Sequence, residues 1–254
     1  MVPWRSASGR LAAVRGGKPL GRQRPRLRPR PCVQPRWPAG RLHGPGGADP
    51  SARGLAVRFA AARHWVFDMD GTLTVAVHDF AAIRRALEIP PEDDILHHLA
   101  ALPAEQALAK RAWLLEHERA LALGARPAAG AVELVRTLCR RGCRLGLLTR
   151  NAHELALLTL AAIGLADCFA GVDIVGRDEA PPKPHPGGLL QLAAAWGVAP
   201  AELVMVGDYR NDLECARGAG AHAVLIRPTE NPWPELTDWQ VRDCFELLAQ
   251  LRGE

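Results

Sequence analysis

The apolar positions of this chain change rhythm as it is read from the middle outward. Trp65, Val66 and Phe67 form an unbroken apolar run that reads as a short, fully buried strand. From Asp79 to about Leu123 the spacing becomes helical. Phe80, Ile83 and Leu87 share a face, Pro90-Pro91 ends that helix, and Glu92-Asp93-Asp94 puts negative charge at the start of the next. Pro103 opens a long helix on which Leu108, Leu114, Leu115 and Leu121 predict an apolar stripe. No strand pattern interrupts this block, and Gly124-Ala125-Arg126-Pro127 reads as a linker leading out of it.

From Gly130 onward helices and strands alternate. Helices are expected over Ala131–Arg141, Asn151–Ile163 and Gly187–Trp196, with another running from the Gly207-Asp208 turn to Gly218. Strands are expected over Cys143–Thr149, Leu203–Val206 and Ala223–Ile226, with an apolar stretch at Val172–Val175, and Trp239–Leu251 reads as a closing amphipathic helix. Strands separated by helices imply a parallel α/β sheet with right-handed crossovers. The all-helical block then becomes an insertion after the first strand, placed to cover the sheet's C-terminal edge. The expected organisation is a tail over 1–62, a core over 63–78 and 125–254, and a helical cap over 79–124.

Composition changes this picture at one end only. The formal charge of +5 suggests a polyanion binder, but residues 1–64 hold fourteen basic side chains against the single acid Asp49. Of the totals of 32 and 27, that leaves eighteen basic and twenty-six acidic residues for the rest of the chain, so the body is acidic. The Arg/Pro-rich segment has few large apolar side chains to bury and repeated prolines, so disorder is expected there. A basic arm for nucleic acid or acidic lipid, an organellar transit peptide, and a segment upstream of the true start are the readings it admits. For the acidic folded body no nucleic-acid partner is expected, and no membrane one either, because no apolar run approaches the roughly 18 residues of a membrane helix. Six scattered cysteines, with Cys139 and Cys143 lacking a second metal-type pair, argue for free thiols in the cytoplasm and against zinc. Oligomeric state is not readable, although Trp233 and Trp239 could serve packing or a contact.

The candidate chemistry sits at the strand ends. Asp68 and Asp70 follow the first strand one residue apart, on one face of an extended segment, and Gly71 permits a sharp reversal after them. Two carboxylates that close call for a cation or a shared proton. A calcium loop is disfavoured, since the twelfth position counted from Asp68 is Asp79 rather than glutamate. Thr149 ends a strand just ahead of a helix, where a hydroxyl and free N–H groups suit a phosphate oxygen; a plain N-cap is the alternative. Lys183 lies in Pro181-Pro182-Lys183-Pro184-His185-Pro186, a stiff loop able to hold its ammonium in place, or simply to expose it. Asp208 and Asp212 stand four residues apart at another strand-to-helix turn, where capping explains one acid more easily than two.

Taken in order, Asp68-Met69-Asp70-Gly71-Thr72, Leu148-Thr149, Lys183-Pro184 and Gly207-Asp208 with Asp212 resemble the haloacid dehalogenase-like (HAD) hydrolase superfamily. Lys183-Pro184-His185-Pro186 and Ala216-Arg217-Gly218-Ala219-Gly220 look most like its phosphoglycolate phosphatase-like branch. The resemblance implies a Rossmann-like parallel sheet with a small all-helical cap inserted after the first strand. It implies an aspartyl-phosphate formed on Asp68, with Asp70 as acid and then base. Mg²⁺ would be held by Asp68, the backbone carbonyl of Asp70, and Asp208. Thr149 and Lys183 would bind the phosphoryl group, and Asp212 would orient a metal-bound water or Lys183. An acid at position 70 speaks against a dehalogenase, because displacing halide needs no proton donor. A phosphatase acting on a small phosphorylated metabolite, phosphoglycolate-like or a sugar phosphate, is the expectation. A sugar phosphomutase and a non-catalytic binding protein are the alternatives. Arg84, Arg85, His97, His98, Lys110, Arg111 and His117 are the cap candidates for substrate contact.

Overall fold

The computed structural model describes residues 59–77 and 79–253. The basic tail read over 1–62 lies outside the described residues except at its last four positions. Among these, Phe59 belongs to the packed body: it is buried, stacks on Trp239 at 5.0 Å and meets His222 edge-on at 5.5 Å.

In chain order the elements are β1 (His64–Phe67), α1 (Phe80–Ala86), α2 (Ile95–Ala101), α3 (Ala104–Leu123), α4 (Ala131–Arg140), β2 (Arg144–Leu148), α5 (His153–Ala162), β3 (Ile174–Val175), α6 (Gly187–Trp196), β4 (Leu203–Gly207), α7 (Arg210–Ala219), β5 (His222–Ile226), β6 (Trp239–Val241) and α8 (Cys244–Arg252). All six strands are parallel, in the order β3-β2-β1-β4-β5-β6. The chain winds outward from β1 to β3, returns to place β4 against β1, and winds the other way. The β1–β4 junction is therefore the point where the order reverses, and in such sheets ligands bind just beyond the C-terminal ends there.

Strand alternation builds the core on both faces. Trp65, Phe67, Leu145, Leu147, Val204, Val206 and Val224 enter one apolar layer, which α4, α5 and α8 complete with Leu134, Leu160 and Leu247. Val66, Leu148, Leu203, Met205, Ala223 and Leu225 enter the other, against Leu189 and Leu192 of α6 and Leu213 and Ala216 of α7. Because both faces are covered, the strands read as continuous apolar runs rather than alternating ones. Gly146 leaves the space that the Trp196 indole fills: a Cβ there would lie 3.0 Å from the ring.

Helices α1–α3 follow β1 and have a small core of their own, Ile83, Leu87, Ile89, Ile95, Leu99 and Leu114. The segments entering and leaving them pair with each other: Val75 N–H donates to Arg126 O at 3.0 Å and Ala128 N–H to Leu73 O at 2.9 Å. Asp79 and Asp94 cap α1 and α2, accepting from Ala82 N–H (2.8 Å) and His97 N–H (3.0 Å). Helix α3 lies along α5 of the sheet layer.

Two expected features are corrected. The stretch Trp239–Leu251 is not one helix. Trp239 and Val241 point inward as β6, pairing with β5, and Asp243 then caps α8 by accepting from Glu246 N–H at 2.8 Å. On α3, Leu108 is 73% exposed, and the inward line runs instead through Ala107, Leu114, Glu118 and Ala122. Among the described residues no helix is long and apolar enough to cross a membrane, and Cys139, Cys143, Cys168, Cys215 and Cys244 are free thiols.

Candidate active site

Parallel pairing carries one residue beyond β1, where Asp68 N–H donates to Val206 O of β4 at 2.9 Å. This hydrogen bond fixes Asp68 at the C-terminal edge, beside the end of β4 where Asp208 emerges. After Asp68 the chain closes a tight turn: the N–H groups of Leu73 and Thr74 both donate to Met69 O at 2.9 Å. Gly71 makes the turn possible in two ways. Its φ is +88°, a region unfavourable for other residues, and a Cβ there would fall 2.6 Å from Asp208 Cγ.

The polar centre is a buried lysine between carboxylates. Lys183 is 4% exposed, and its Nζ donates to Asp68 Oδ1 and, at 2.6 Å, to Asp212 Oδ1. The other oxygen of Asp212 accepts from Tyr209 N–H at 3.1 Å at the start of α7. Asp212 thus does what helix capping would ask and orients the lysine as well. Asp208 Oδ1 accepts from Thr72 Oγ1 at 3.3 Å. Single oxygens of Asp68, Asp208 and Asp212 all lie within 4.8 Å of one another.

Carboxylates outnumber cations in this cluster, and the ionisation equilibria reflect it. Burial, only partly offset by Lys183, holds Asp68 well above the usual carboxylate range. Burial and the charge of Asp212 raise Asp208 to about 6. Burial acts to lower Lys183, but Asp212 and Asp68 outweigh it and push its pKa up, so the ammonium stays charged. Two buried carboxylates paired to one ammonium, with the half-buried Asp208 beside them, form an all-oxygen donor set that suits a hard divalent cation.

Asp70 has a different environment. Its Oδ2 accepts from Asn151 Nδ2 at 2.7 Å, which ties the side chain to the segment after β2. Thr149, 2% exposed, accepts from Asn151 N–H at 3.1 Å through Oγ1 and is not the cap of α5, a position Ala152 takes. All six residues expected from sequence, Asp68, Asp70, Thr149, Lys183, Asp208 and Asp212, line one cavity of about 410 Å³.

Sequence reasoning passed over Asn151 and Thr72, which hold Asp70 and Asp208. Thr72 stands inside the first motif with no role given to it and Asn151 two residues after Thr149, which is the signal that could have found them. The cap candidates need a correction. Of Arg84, Arg85, His97, His98, Lys110, Arg111 and His117, only Arg84 lines the cavity. Lys110 donates to Leu87 O, Arg111 to Leu99 O at 3.3 Å, and His98 pairs with Asp93 at 2.8 Å. The His117 ring stacks on Trp113 at 5.1 Å.

A doubly wound parallel sheet with a carboxylate–lysine cluster at its reversal point and helices inserted after β1 defines an α/β scaffold with its ligand site at the sheet's C-terminal edge. The family model for haloacid dehalogenase-like hydrolases matches residues 63–220, and the chain belongs to that family. A haloacid dehalogenase-like hydrolase domain-containing protein of Arabidopsis thaliana is 32% identical over 182 residues, covering 67% of this chain and 73% of the relative. A phosphoglycolate phosphatase of Escherichia coli O157:H7 is 31% identical over 158 residues, 61% of this chain and 60% of that protein. A hydrolase from Pseudomonas syringae of known structure superposes with a TM-score of 0.64 at 26% identity, over 76% of this chain and 98% of its own.

Proposed function

We propose that the protein is a magnesium-dependent phosphatase that hydrolyses a small phosphomonoester through an aspartyl-phosphate on Asp68. The observation that carries this reading is the buried Asp68–Lys183–Asp212 arrangement beside Asp208, with Asp70 hydrogen-bonded to Asn151 in the same cavity. A phosphate dianion approaching a carboxylate is repelled unless cations cancel the charge, and Lys183 is built into contact with the attacking group. Asp68, the carbonyl of Asp70, and Asp208 would hold Mg²⁺, which supplies further charge neutralisation at the phosphoryl oxygens.

In the first step an Asp68 oxygen forms a bond to phosphorus while the ester P–O bond breaks, and Asp70 gives its proton to the leaving alkoxide. In the second, Asp70 takes a proton from water as the water oxygen bonds to phosphorus, and the Asp68–phosphorus bond breaks to release inorganic phosphate. Thr149 Oγ1 donates a hydrogen bond to the phosphoryl group, and Asn151 keeps Asp70 aimed at the leaving oxygen. The likeness to a phosphoglycolate phosphatase supports phosphoryl transfer to water as the reaction class.

The test is Asp68→Asn. Magnesium-dependent phosphate release should disappear while the circular dichroism spectrum and cooperative unfolding stay those of the parent. Unchanged turnover in a pure sample would refute the nucleophile assignment.

A further inference from the structure

The phosphatase reading leaves the alcohol half of the ester open, and the cavity wall facing the site bears on it. Helix α1 contributes Phe80 and Ile83, the start of α2 contributes Ile95 and Leu96, and α3 contributes Leu114. Every one is apolar, and Phe80 is 54% exposed although it is a large hydrophobe beside a polar site.

The charged side chains among them are already engaged. Asp94 accepts from Arg150 with one oxygen and caps α2 with the other. The Glu118 carboxylate lies 2.9 Å from Arg177 Nη1, both side chains largely buried. Arg84 Nε donates to Asp93 O at 3.0 Å. The apolar patch is therefore backed by the Asp94–Arg150 and Glu118–Arg177 pairs, while Tyr209 and Asn211 at the start of α7 supply polar lining elsewhere in the cavity. Volume adds to this: about 410 Å³ falls within the roughly 300–1,000 Å³ typical of small-molecule sites.

Resting on the phosphatase reading, we propose that the substrate is the phosphomonoester of an apolar alcohol, aromatic or branched-aliphatic, whose body packs against Phe80, Ile83, Leu96 and Leu114. A polyhydroxylated leaving group would place hydroxyls against these side chains without partners, losing the hydrogen bonds it makes in water. A small carboxylate-bearing ester would leave most of the apolar wall in contact with water.

The experiment compares kcat/KM of the full-length protein with Mg²⁺ on benzyl phosphate, ethyl phosphate, 2-phosphoglycolate and glucose 6-phosphate. All four are esters of primary alcohols. Benzyl phosphate should exceed each of the others by about tenfold or more, the scale of hydrophobic-pocket discrimination. Phe80→Ser should reduce the benzyl value several-fold more than the ethyl value, with the unfolding midpoint reported alongside. Binding of benzylphosphonate and methylphosphonate, measured by calorimetry, reads the pocket without turnover. Tighter benzylphosphonate binding with no hydrolysis of any ester would overturn the phosphatase reading and keep the pocket assignment. Equal affinity for the two phosphonates, or turnover of ethyl phosphate, 2-phosphoglycolate or glucose 6-phosphate matching that of benzyl phosphate, would overturn the apolar-alcohol assignment.

Discussion

Lys183 illustrates what burial does to a single charge. At 4% exposure its ammonium has lost its hydration, and Asp68 and Asp212 take the place of water. Removing the lysine would leave two buried carboxylates facing each other, and breaking a buried ion pair typically costs about 3–5 kcal/mol. Lys183→Met should therefore lower stability by about that amount in metal-free buffer at pH 7, measured by urea unfolding. An unchanged midpoint would mean that the carboxylates are screened by something other than Lys183. Gly71 is a second residue whose identity is set by geometry, because its positive φ and its closeness to Asp208 leave no room for a side chain.

Between elements, Asp238 ties β5, β6 and α7 together. It accepts from Arg217 at 2.8 and 3.1 Å and from Ala223 N–H at 2.9 Å, with His222 at 3.5 Å. Burial acts to raise its pKa, but the hydrogen bonds from His222, Arg217 and Ala223 outweigh it and bring the value down to about 2. A carboxyl depressed in the folded state stabilises the fold fully above its ordinary value of 3.8, and that contribution is lost as pH falls toward 2. Urea midpoints should thus fall across that window in the parent, and Asp238→Asn should be less stable at neutral pH and flatter between those values. Parallel pH curves for the two proteins would contradict this role. At this same scale β6 escaped the sequence reading. Three residues, Trp239, Gln240 and Val241, run directly into a capped helix, and a short inward–outward alternation cannot be told from the first turn of an amphipathic helix until its pairing partner is known.

Across the whole molecule, the site was more legible than its surroundings. Asp68, Thr149, Lys183 and Asp208 each follow a strand or lie in a stiff loop, and a parallel sheet collects such ends at one edge, so their order in the chain carried spatial information. The wall of the cavity carried none. Helical periodicity put Phe80 and Ile83 on one face of α1 but drew the stripe of α3 through the exposed Leu108, and it gives no angle at which these helices sit on the sheet, so the charged candidates were chosen and the apolar ones missed. Phe59 was missed for another reason: one aromatic in an Arg- and Ala-rich stretch has no periodic neighbours, yet it packs on Trp239 from the far end of the sheet. Phe59→Ala should cost about 3–5 kcal/mol of unfolding free energy, the usual range for a buried phenylalanine. A loss below 1 kcal/mol in urea titration, well short of that range, would place Phe59 outside the cooperative core.

The most direct test of the central claim is to catch phosphorus on Asp68. The full-length protein with Mg²⁺ is mixed with a hydrolysed ester, quenched in acid within the first turnovers and reduced with borohydride, and the peptide containing Trp65–Asp70 is analysed by mass spectrometry. Conversion of Asp68 to homoserine, absent without ester, is the predicted result. Continued phosphate release with Asp68 unmodified at every quench time would contradict a covalent intermediate on this residue.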